Sequence, residues 1–177
     1  MNFYRCLICG DPYMGEEKPS NCPFCGAHAD YLVPSAEWMD ENTSITALSD
    51  ISRKNLEQTL QLEVNNAAFY RDAMAKTKDV ELQGIFKYLS KVENEHASAV
   101  KKILKCEAPK PEPGKEVATE SDRENLRIAR DKEQFASAFY ARAAQEAAEP
   151  RVKRVFTALS EIEADHIRVD GDLLERK

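Results

Sequence analysis

The sequence predicts a mainly α protein, in which a four-helix bundle with a long crossover between its second and third helices follows a small N-terminal metal-binding module. Two repeated motifs predict this. A Glu-x-x-His motif at residues 93–96 recurs seventy residues later at residues 163–166, within a repeated helix pair. Two Cys-x-x-Cys-Gly motifs lie near the N-terminus, where no helical period is visible. We therefore expect the module at residues 1–36 and the bundle at residues 49–177.

The first copy of the repeat has the pattern of two long helices joined by a short turn. Apolar residues recur from Leu56 to Met74 at steps of three and four, which is the spacing of one helix face. This predicts a helix over residues 50–76. Asp79 is a suitable N-cap for a second helix at about 80–105. The two helices should therefore lie antiparallel.

The second copy is separated from the first by a segment that breaks helices. Residues 106–120 contain three prolines and a glycine, so no helix is expected to cross them. Ser121 and Glu124 form a capping-box pattern at the start of a third helix, which runs to about residue 148. Pro150 suits the first turn of a fourth helix, because its missing N–H would be unpaired there anyway. Two hairpins joined by one long connection make a bundle with a crossover.

Six polar side chains fall on the core-facing stripes of the four helices. An unpaired buried carboxylate costs several kcal/mol or takes up a proton, whereas two divalent cations would balance four carboxylates. Residues at i and i+3 share a helix face, so each Glu-x-x-His motif gives two ligands to one site. The spacing predicts a di-iron or di-manganese site, with a surface position as the alternative for any single charge. The six residues are Glu63, Glu93, His96, Glu133, Glu163 and His166.

Other polar residues near the repeated motif have less specific interpretations. Tyr70 and Tyr140 lie two turns beyond the glutamates of the first and third helices. They either pack in the core with a hydrogen-bonded hydroxyl, or bond a ligand carboxylate and take part in the chemistry. The acids that flank the motif away from the core stripe are predicted to be solvated. These acids are Glu95, Glu161 and Asp165.

Four of the five cysteines predict a metal site rather than disulfides. Cys6, Cys9, Cys22 and Cys25 form two knuckles that can close a tetrahedral Cys₄ site. Sulfur ligands of this kind suit both iron and zinc, so the metal stays open. Cys106 has no partner motif and is expected to be a free thiol.

Composition and length exclude several classes of protein. The chain has 177 residues and a net charge of -6, which argues against nucleic acid as a partner. No apolar run approaches the roughly 20 residues that span a bilayer, and the N-terminus does not resemble a signal peptide. We therefore expect a cytoplasmic protein without a membrane partner, in which cysteines stay reduced.

Together these motifs resemble the rubrerythrins. The module with CLICG and CPFCG is rubredoxin-like, and the bundle with paired Glu-x-x-His helices is ferritin-like. The order, with the module first, is similar to that of variants often called reverse rubrerythrins. The resemblance implies a non-haem di-iron peroxidase that reduces hydrogen peroxide to water in oxidative-stress defence. It also implies that electrons arrive through an Fe(Cys)₄ centre from a soluble donor, such as a rubredoxin or an NAD(P)H-dependent reductase.

The resemblance assigns two iron ions to the six bundle ligands, with Glu93 and Glu163 as bridges, and one iron to the four cysteines. The chain departs from the family at Ala136, where rubrerythrins carry an extra carboxylate on the third helix. The alternative is therefore an oxygen-using di-iron protein, such as a ferroxidase, an oxidase or an oxygen scavenger. A third reading is a non-enzymatic metal-binding protein with zinc in either site.

The resemblance also bears on assembly, because rubrerythrins dock head to tail across a dimer. It favours a homodimer or larger assembly, in which each Cys₄ iron serves the di-iron site of the other subunit. A connector of about 14 residues reaches roughly 20 Å as a flexible coil, so docking on the chain's own bundle is the alternative.

Overall fold

The computed structural model describes residues 1–177 as a small sheet followed by four long helices, which confirms the predicted fold class. The sheet precedes the helices, and short 3-10 turns connect the two parts. The strands are β1 (Asn2–Cys6), β2 (Pro12–Gly15) and β3 (Leu32–Pro34). The helices are α1 (Asp50–Lys76), α2 (Val80–Leu104), α3 (Asp122–Glu146) and α4 (Pro150–Arg176).

The second, third and fourth helices begin at the positions that their capping residues and Pro150 predicted. The Asp79 carboxylate accepts hydrogen bonds from two backbone N–H groups in the first turn of α2. The Ser121 hydroxyl accepts from the N–H of Glu124, 3.3 Å away, and Pro150 opens α4. These contacts satisfy donors that a helix leaves unpaired at its N-terminus. No helix combines the length and apolarity that crossing a bilayer requires.

Two apolar clusters lie on either side of a polar layer in the bundle. In one cluster Tyr70 stacks on Phe86, with ring centroids 6.1 Å apart. In the other Tyr140 stacks on Phe156 at the same separation. The two pairs occupy equivalent positions in the sequence repeat, so the bundle is internally pseudo-symmetric. The predicted ligands lie in the polar layer between the clusters.

The N-terminal module is a three-stranded antiparallel sheet, in the order β2-β1-β3, that carries the cysteine knuckles. Gly10 and Gly26 close the two knuckles with φ of 87° and 79°, a region that residues with a Cβ rarely adopt. Ala27 and Leu32 of the module belong to the same buried cluster as Ile162 of α4. The apolar core is therefore continuous between the module and its own bundle.

The predicted docking of the module across a dimer differs from the arrangement in the structure. His28 Nε2 lies 2.7 Å from Asp165 Oδ2, and the Tyr31 hydroxyl donates to Glu161 over 2.9 Å. Lys102 Nζ, on α2, donates to a knuckle carbonyl over 2.8 Å. Glu161 and Asp165, which were predicted to be solvated, keep 41% and 27% of their side chains exposed, but they also contact the module from the side of α4 that faces away from the bundle seam.

Replacing Gly26 with alanine is expected to weaken the seating of the module on α4. A Cβ at this position would lie 3.1 Å from Ile162 Cγ2, so the side chain of α4 would have to move. Gly114→Ala is the matched control, because Gly114 has a similar φ of 83° but no atom near the added Cβ. We expect Gly26→Ala to reduce the free energy of unfolding by about 1–3 kcal/mol more than the control. Equal losses in thermal unfolding would contradict this packing.

Candidate metal centres

The structure brings all six predicted bundle ligands into one buried layer. Each of the four helices contributes one glutamate, and none of the four carboxylates is exposed. The six residues form two groups, and within each group the candidate ligand atoms lie within 4.8 Å of one another. Glu93 and Glu163 belong to both groups, which is the arrangement that bridging carboxylates require. The groups are Glu63, Glu93, His96 and Glu163, and Glu93, Glu133, Glu163 and His166.

The two histidines face the same carboxylate layer from opposite ends. His96 Nδ1 lies 3.4 Å from Glu163 Oε1 and 3.5 Å from Glu63 Oε2. His166 Nδ1 lies 2.8 Å from Glu163 Oε2 and 3.5 Å from Glu93 Oε1. The imidazole rings are almost parallel, with centroids 6.3 Å apart. The space between the two imidazole rings is bordered by the carboxylates of both Glu-x-x-His motifs.

The electrostatics of the layer require positive charge. Both oxygens of Glu93 and one oxygen each of Glu63, Glu133 and Glu163 are buried without a hydrogen-bond partner. Burial raises the pKa of Glu93 and Glu133 well above the ordinary value, and neighbouring carboxylates raise it further. Burial opposes a charge on His96, but Glu63 and the other acids outweigh it and raise its pKa.

The donor set fits two divalent cations. Four carboxylates carry four negative charges when ionised, and two divalent ions would neutralise them without burying a net charge. Unpartnered carboxylate oxygens and imidazole nitrogens are the ligand types that iron, manganese and zinc accept. The bundle therefore contains a carboxylate–histidine cluster suitable for a di-iron centre.

Both tyrosines hold ligand carboxylates across the bundle. The Tyr140 hydroxyl donates to Glu63 Oε1 over 2.5 Å, and the Tyr70 hydroxyl donates to Glu133 Oε1. Burial raises the pKa of both phenols well above 10, and the nearby carboxylates add to this effect. Both phenols therefore stay protonated and act as donors. Each contact joins one copy of the repeat to the other, so both tyrosines pack in the core and also bond a carboxylate of a candidate ligand.

Replacing either tyrosine with phenylalanine is expected to destabilise the protein, because a buried carboxylate oxygen then loses its donor. The expected loss is about 1–3 kcal/mol for Tyr70→Phe and a similar loss for Tyr140→Phe. Tyr88→Phe is the control, since this tyrosine is half exposed on α2. Denaturant unfolding measures all three variants, and a loss for Tyr88→Phe as large as for the other two would contradict the assignment.

The four knuckle cysteines converge on a second candidate centre. Their sulfurs are buried, and the four ligand atoms lie within 4.8 Å of one another. Cys6 Sγ lies 3.7 Å from Cys25 Sγ, and Cys9 Sγ lies 3.8 Å from Cys22 Sγ. A tetrahedral ion with metal–sulfur bonds of about 2.3 Å separates its sulfurs by about 3.8 Å, so the spacing fits a metal and excludes disulfides. Cys106 is exposed and apart from this cluster.

A contact that the sequence does not indicate joins the two clusters. His96 Nε2 lies 2.9 Å from the backbone carbonyl oxygen of Cys25. The opposite nitrogen of the same ring faces the carboxylate layer. One imidazole therefore spans the distance between a cysteine of the Cys₄ cluster and the bundle centre.

One buried acid near the site has no role in the sequence prediction, although it lies on the core stripe of α4. Asp170 is fully buried, and neither of its carboxylate oxygens has a hydrogen-bond partner. Burial raises its pKa to about 7, with Arg130 acting in the opposite direction. Val100 occupies the equivalent position of the other repeat, so the two halves of the bundle differ here.

Comparisons with known proteins agree with this architecture. Reverse rubrerythrin-1 of Clostridium acetobutylicum is 30% identical over 115 residues, which cover 59% of this chain and 62% of that protein. A hypothetical protein from Pyrococcus furiosus shares the fold, with a TM-score of 0.62 and 20% identity over 76% of this chain and 93% of that chain. The family model described as Rubrerythrin matches residues 54–170, which is more than half of the sequence. The chain therefore belongs to the rubrerythrin family.

Proposed function

We propose that this chain is a non-haem di-iron peroxidase that reduces hydrogen peroxide to water in the cytoplasm, with electrons passing through iron in the Cys₄ site. The observation that supports it most strongly is the double contact of His96. Its Nε2 lies 2.9 Å from the Cys25 carbonyl oxygen, and its Nδ1 lies 3.4 Å from Glu163 Oε1. An electron donor and an acceptor centre would then be joined by one side chain.

The ligand roles follow from the two overlapping groups. Glu63 and His96 would hold one iron, Glu133 and His166 the other, and the glutamates shared by both groups would bridge them. Iron held by these residues would supply the chemistry: one electron from each of two divalent ions, which together make the two electrons that splitting one O–O bond consumes. Two protons are taken up as well, so that each peroxide gives two waters.

The remaining residues of the bundle position the ligands and limit water. Tyr70 and Tyr140 hold one oxygen of Glu133 and Glu63, which leaves the other oxygen of each free to bind metal. Four buried phenylalanine rings pack beside this layer and exclude bulk water. They are Phe69, Phe86, Phe139 and Phe156.

A surface cavity lies between α1 and α3, one helical turn from two of the candidate ligands. Asn66 and Ala136 are one turn past the ligands Glu63 and Glu133, and they line a cavity of 480 Å³ together with Lys132. Rubrerythrins carry a carboxylate where this chain has Ala136, so this side of the centre has only a methyl group. Peroxide would approach the ligands through this cavity.

Electrons would enter at the surface beside Cys9, whereas Cys25 contacts His96 in the bundle. Cys9 and Gly10 line a surface cavity of 210 Å³ that also includes Trp38 and, from the bundle, Lys102. A soluble donor, such as a rubredoxin or an NAD(P)H-dependent reductase, would bind at this end. We further propose that the protein is a homodimer or a larger assembly.

Rapid mixing tests the proposed reaction. The fully reduced, iron-loaded protein is mixed with hydrogen peroxide in one series and with oxygen in another, and oxidation is followed by visible absorption. We expect faster oxidation by peroxide, followed by oxidation of the Cys₄ iron. Faster oxidation by oxygen would contradict the peroxidase assignment. A colourless protein with zinc in the Cys₄ site, after purification without added metal, would remove the internal electron donor and contradict the proposal as well.

The second candidate is an oxygen-using di-iron protein, and Ala136 is the observation that favours it. Without the extra carboxylate, the ligand set is the symmetric one of four glutamates and two histidines. A ferroxidase would oxidise added ferrous iron repeatedly and consume oxygen in proportion. A centre that keeps its two irons and oxidises no more iron would exclude that function.

A further inference from the structure

A buried arginine of the bundle binds the cysteine module directly. Arg151, the second residue of α4, is only 6% exposed. Its Nη1 donates to the Leu7 carbonyl oxygen over 2.5 Å, and its Nη2 donates to the Ile8 carbonyl oxygen over 2.8 Å. The equivalent position of the other repeat is Glu81, on the surface of α2, where it pairs with Arg176. The bundle fold itself therefore does not require an arginine here.

The peptide group that Arg151 binds also contacts a sulfur of the Cys₄ cluster. Arg151 binds the carbonyl oxygen between Leu7 and Ile8, and the N–H of that same peptide group donates to Cys6 Sγ over 3.3 Å. Hydrogen bonds in series polarise one another, so a cation on the carbonyl makes the N–H a stronger donor. The charge of Arg151 is thus transmitted to a metal-binding sulfur through one peptide group.

The module repeats this arrangement with an arginine of its own. Arg5 Nε donates to the Gly10 carbonyl oxygen over 2.6 Å. The N–H of the same peptide group, at Asp11, donates to Cys9 Sγ over 3.4 Å. The first knuckle therefore has two peptide groups that each carry an arginine on the carbonyl and a cysteine sulfur on the N–H. Only the first of the two arginines belongs to the bundle.

The one carboxylate that pairs with Arg151 is shared with a second arginine. Glu41 Oε2 lies 4.0 Å from Nη1, and the other oxygen of Glu41 pairs with Arg154. A buried cation is costly unless negative charge lies nearby. Four thiolates carry a net charge of -1 around a trivalent iron and -2 around a divalent iron. The reduced state therefore offers Arg151 the larger compensating charge.

We propose that Arg151 raises the reduction potential of the iron in the Cys₄ site when the module is seated on its own bundle. The step is a one-electron reduction of trivalent to divalent iron, in which no bond forms or breaks. Because coupling between two events is reciprocal, reduction should in turn tighten the seating of the module. The inference rests on the proposed iron in the Cys₄ site, but not on which oxidant the bundle centre reduces.

A redox titration of the iron-loaded protein tests the proposal, with the visible absorption of the oxidised Cys₄ iron as the signal. In Arg151→Gln we expect the ratio of reduced to oxidised iron at a fixed ambient potential to fall about tenfold, which is ~59 mV for one electron. Arg5→Gln should also lower the potential. Lys153→Gln is the matched control, because Lys153 is an exposed cation two residues along α4; its potential should stay at the wild-type value.

Emission of Trp38, the chain's single tryptophan, shows in zinc-loaded samples whether the module is still seated, because this ring lines the same cavity as Arg151. A lower potential with unchanged Trp38 emission supports direct tuning by the arginine. An unchanged potential in Arg151→Gln would overturn the proposal, and so would an equal shift in Lys153→Gln. If Arg151→Gln alters the emission, the potential of Arg151→Lys is measured, because lysine keeps the positive charge. A potential in Arg151→Lys as low as that in Arg151→Gln would also overturn the proposal. None of these readings depends on peroxide turnover, so failure here and failure of the peroxidase assignment are distinguishable.

Discussion

Replacing Glu93 and Glu163 with glutamine together is expected to abolish metal binding in the bundle and the reduction of peroxide. These two residues belong to both ligand groups, so both metal positions lose a charged ligand at once. Metal ions supply several kcal/mol of stabilisation to a developing negative charge, so the expected fall in turnover is about 1,000-fold or more. Metal analysis and peroxide consumption measure the two effects.

The double variant Glu57→Gln with Glu175→Gln is the matched control. Both residues are exposed glutamates on α1 and α4, so the change in net charge is the same. The control should keep two bundle metals and full turnover. Retention of both metals in the variant that lacks Glu93 and Glu163 would contradict the bridging roles.

Removing the bundle metal is expected to reverse the dependence of stability on pH. In the metal-free protein Glu93, Glu133 and His96 all have raised pKa values, so the native state binds more protons than the unfolded chain. Their stabilising contribution is complete below the unfolded pKa values. For the two glutamates it is lost as pH rises above about 4.5, and for His96 as pH rises above about 6.5, by up to about 1.4 kcal/mol per pH unit for each proton.

The metal-loaded protein should behave in the opposite way over the same range. Metal binding requires deprotonated ligands, so protons compete with the metal and stability rises with pH. Glu163 does not change the direction of this pH dependence. Burial raises the pKa of Glu163, but the nearby His166 outweighs burial and the pKa is lowered. The contribution of Glu163 to stability is therefore lost only below pH 4.5. Thermal unfolding between pH 5 and 8, with and without a chelator, measures both slopes. Equal slopes would contradict a metal bound by these carboxylates.

The bundle and its ligands were predictable because the sequence states them twice. A single Glu-x-x-His is a weak motif, but Glu93 with His96 and Glu163 with His166 recur in one register with the same apolar neighbours. The caps Asp79 and Ser121 fixed the helix starts through local hydrogen bonds, which act within three residues along the chain. These features depend on short-range spacing; the structure confirms the helices and brings the six side chains together in two groups.

The seating of the module was not predictable from spacing. It depends on contacts between residues about 70 to 145 positions apart, such as His96 with the Cys25 carbonyl and Arg151 with the Leu7 carbonyl. Every residue has a backbone carbonyl, so the sequence does not show which carbonyl will accept a hydrogen bond. Asp165 lies off the core-facing stripe of α4 and was therefore interpreted as a surface charge. Asp170 has no acidic counterpart in the other repeat, where Val100 stands, so the repeat gave no indication of its role.

The central claim is that the Cys₄ cluster and the carboxylate centre of one chain work as a pair. Mixing two variants tests it most directly: one with Cys6→Ser and Cys9→Ser, which lacks the donor, and one with Glu93→Gln and Glu163→Gln, which lacks the acceptor. Because the structure joins the two clusters within a chain through His96, we expect the mixture to reduce peroxide no faster than the two variants measured separately, after subunit exchange has been verified. Recovery of up to half the wild-type activity would show that electrons pass between chains and would contradict the account.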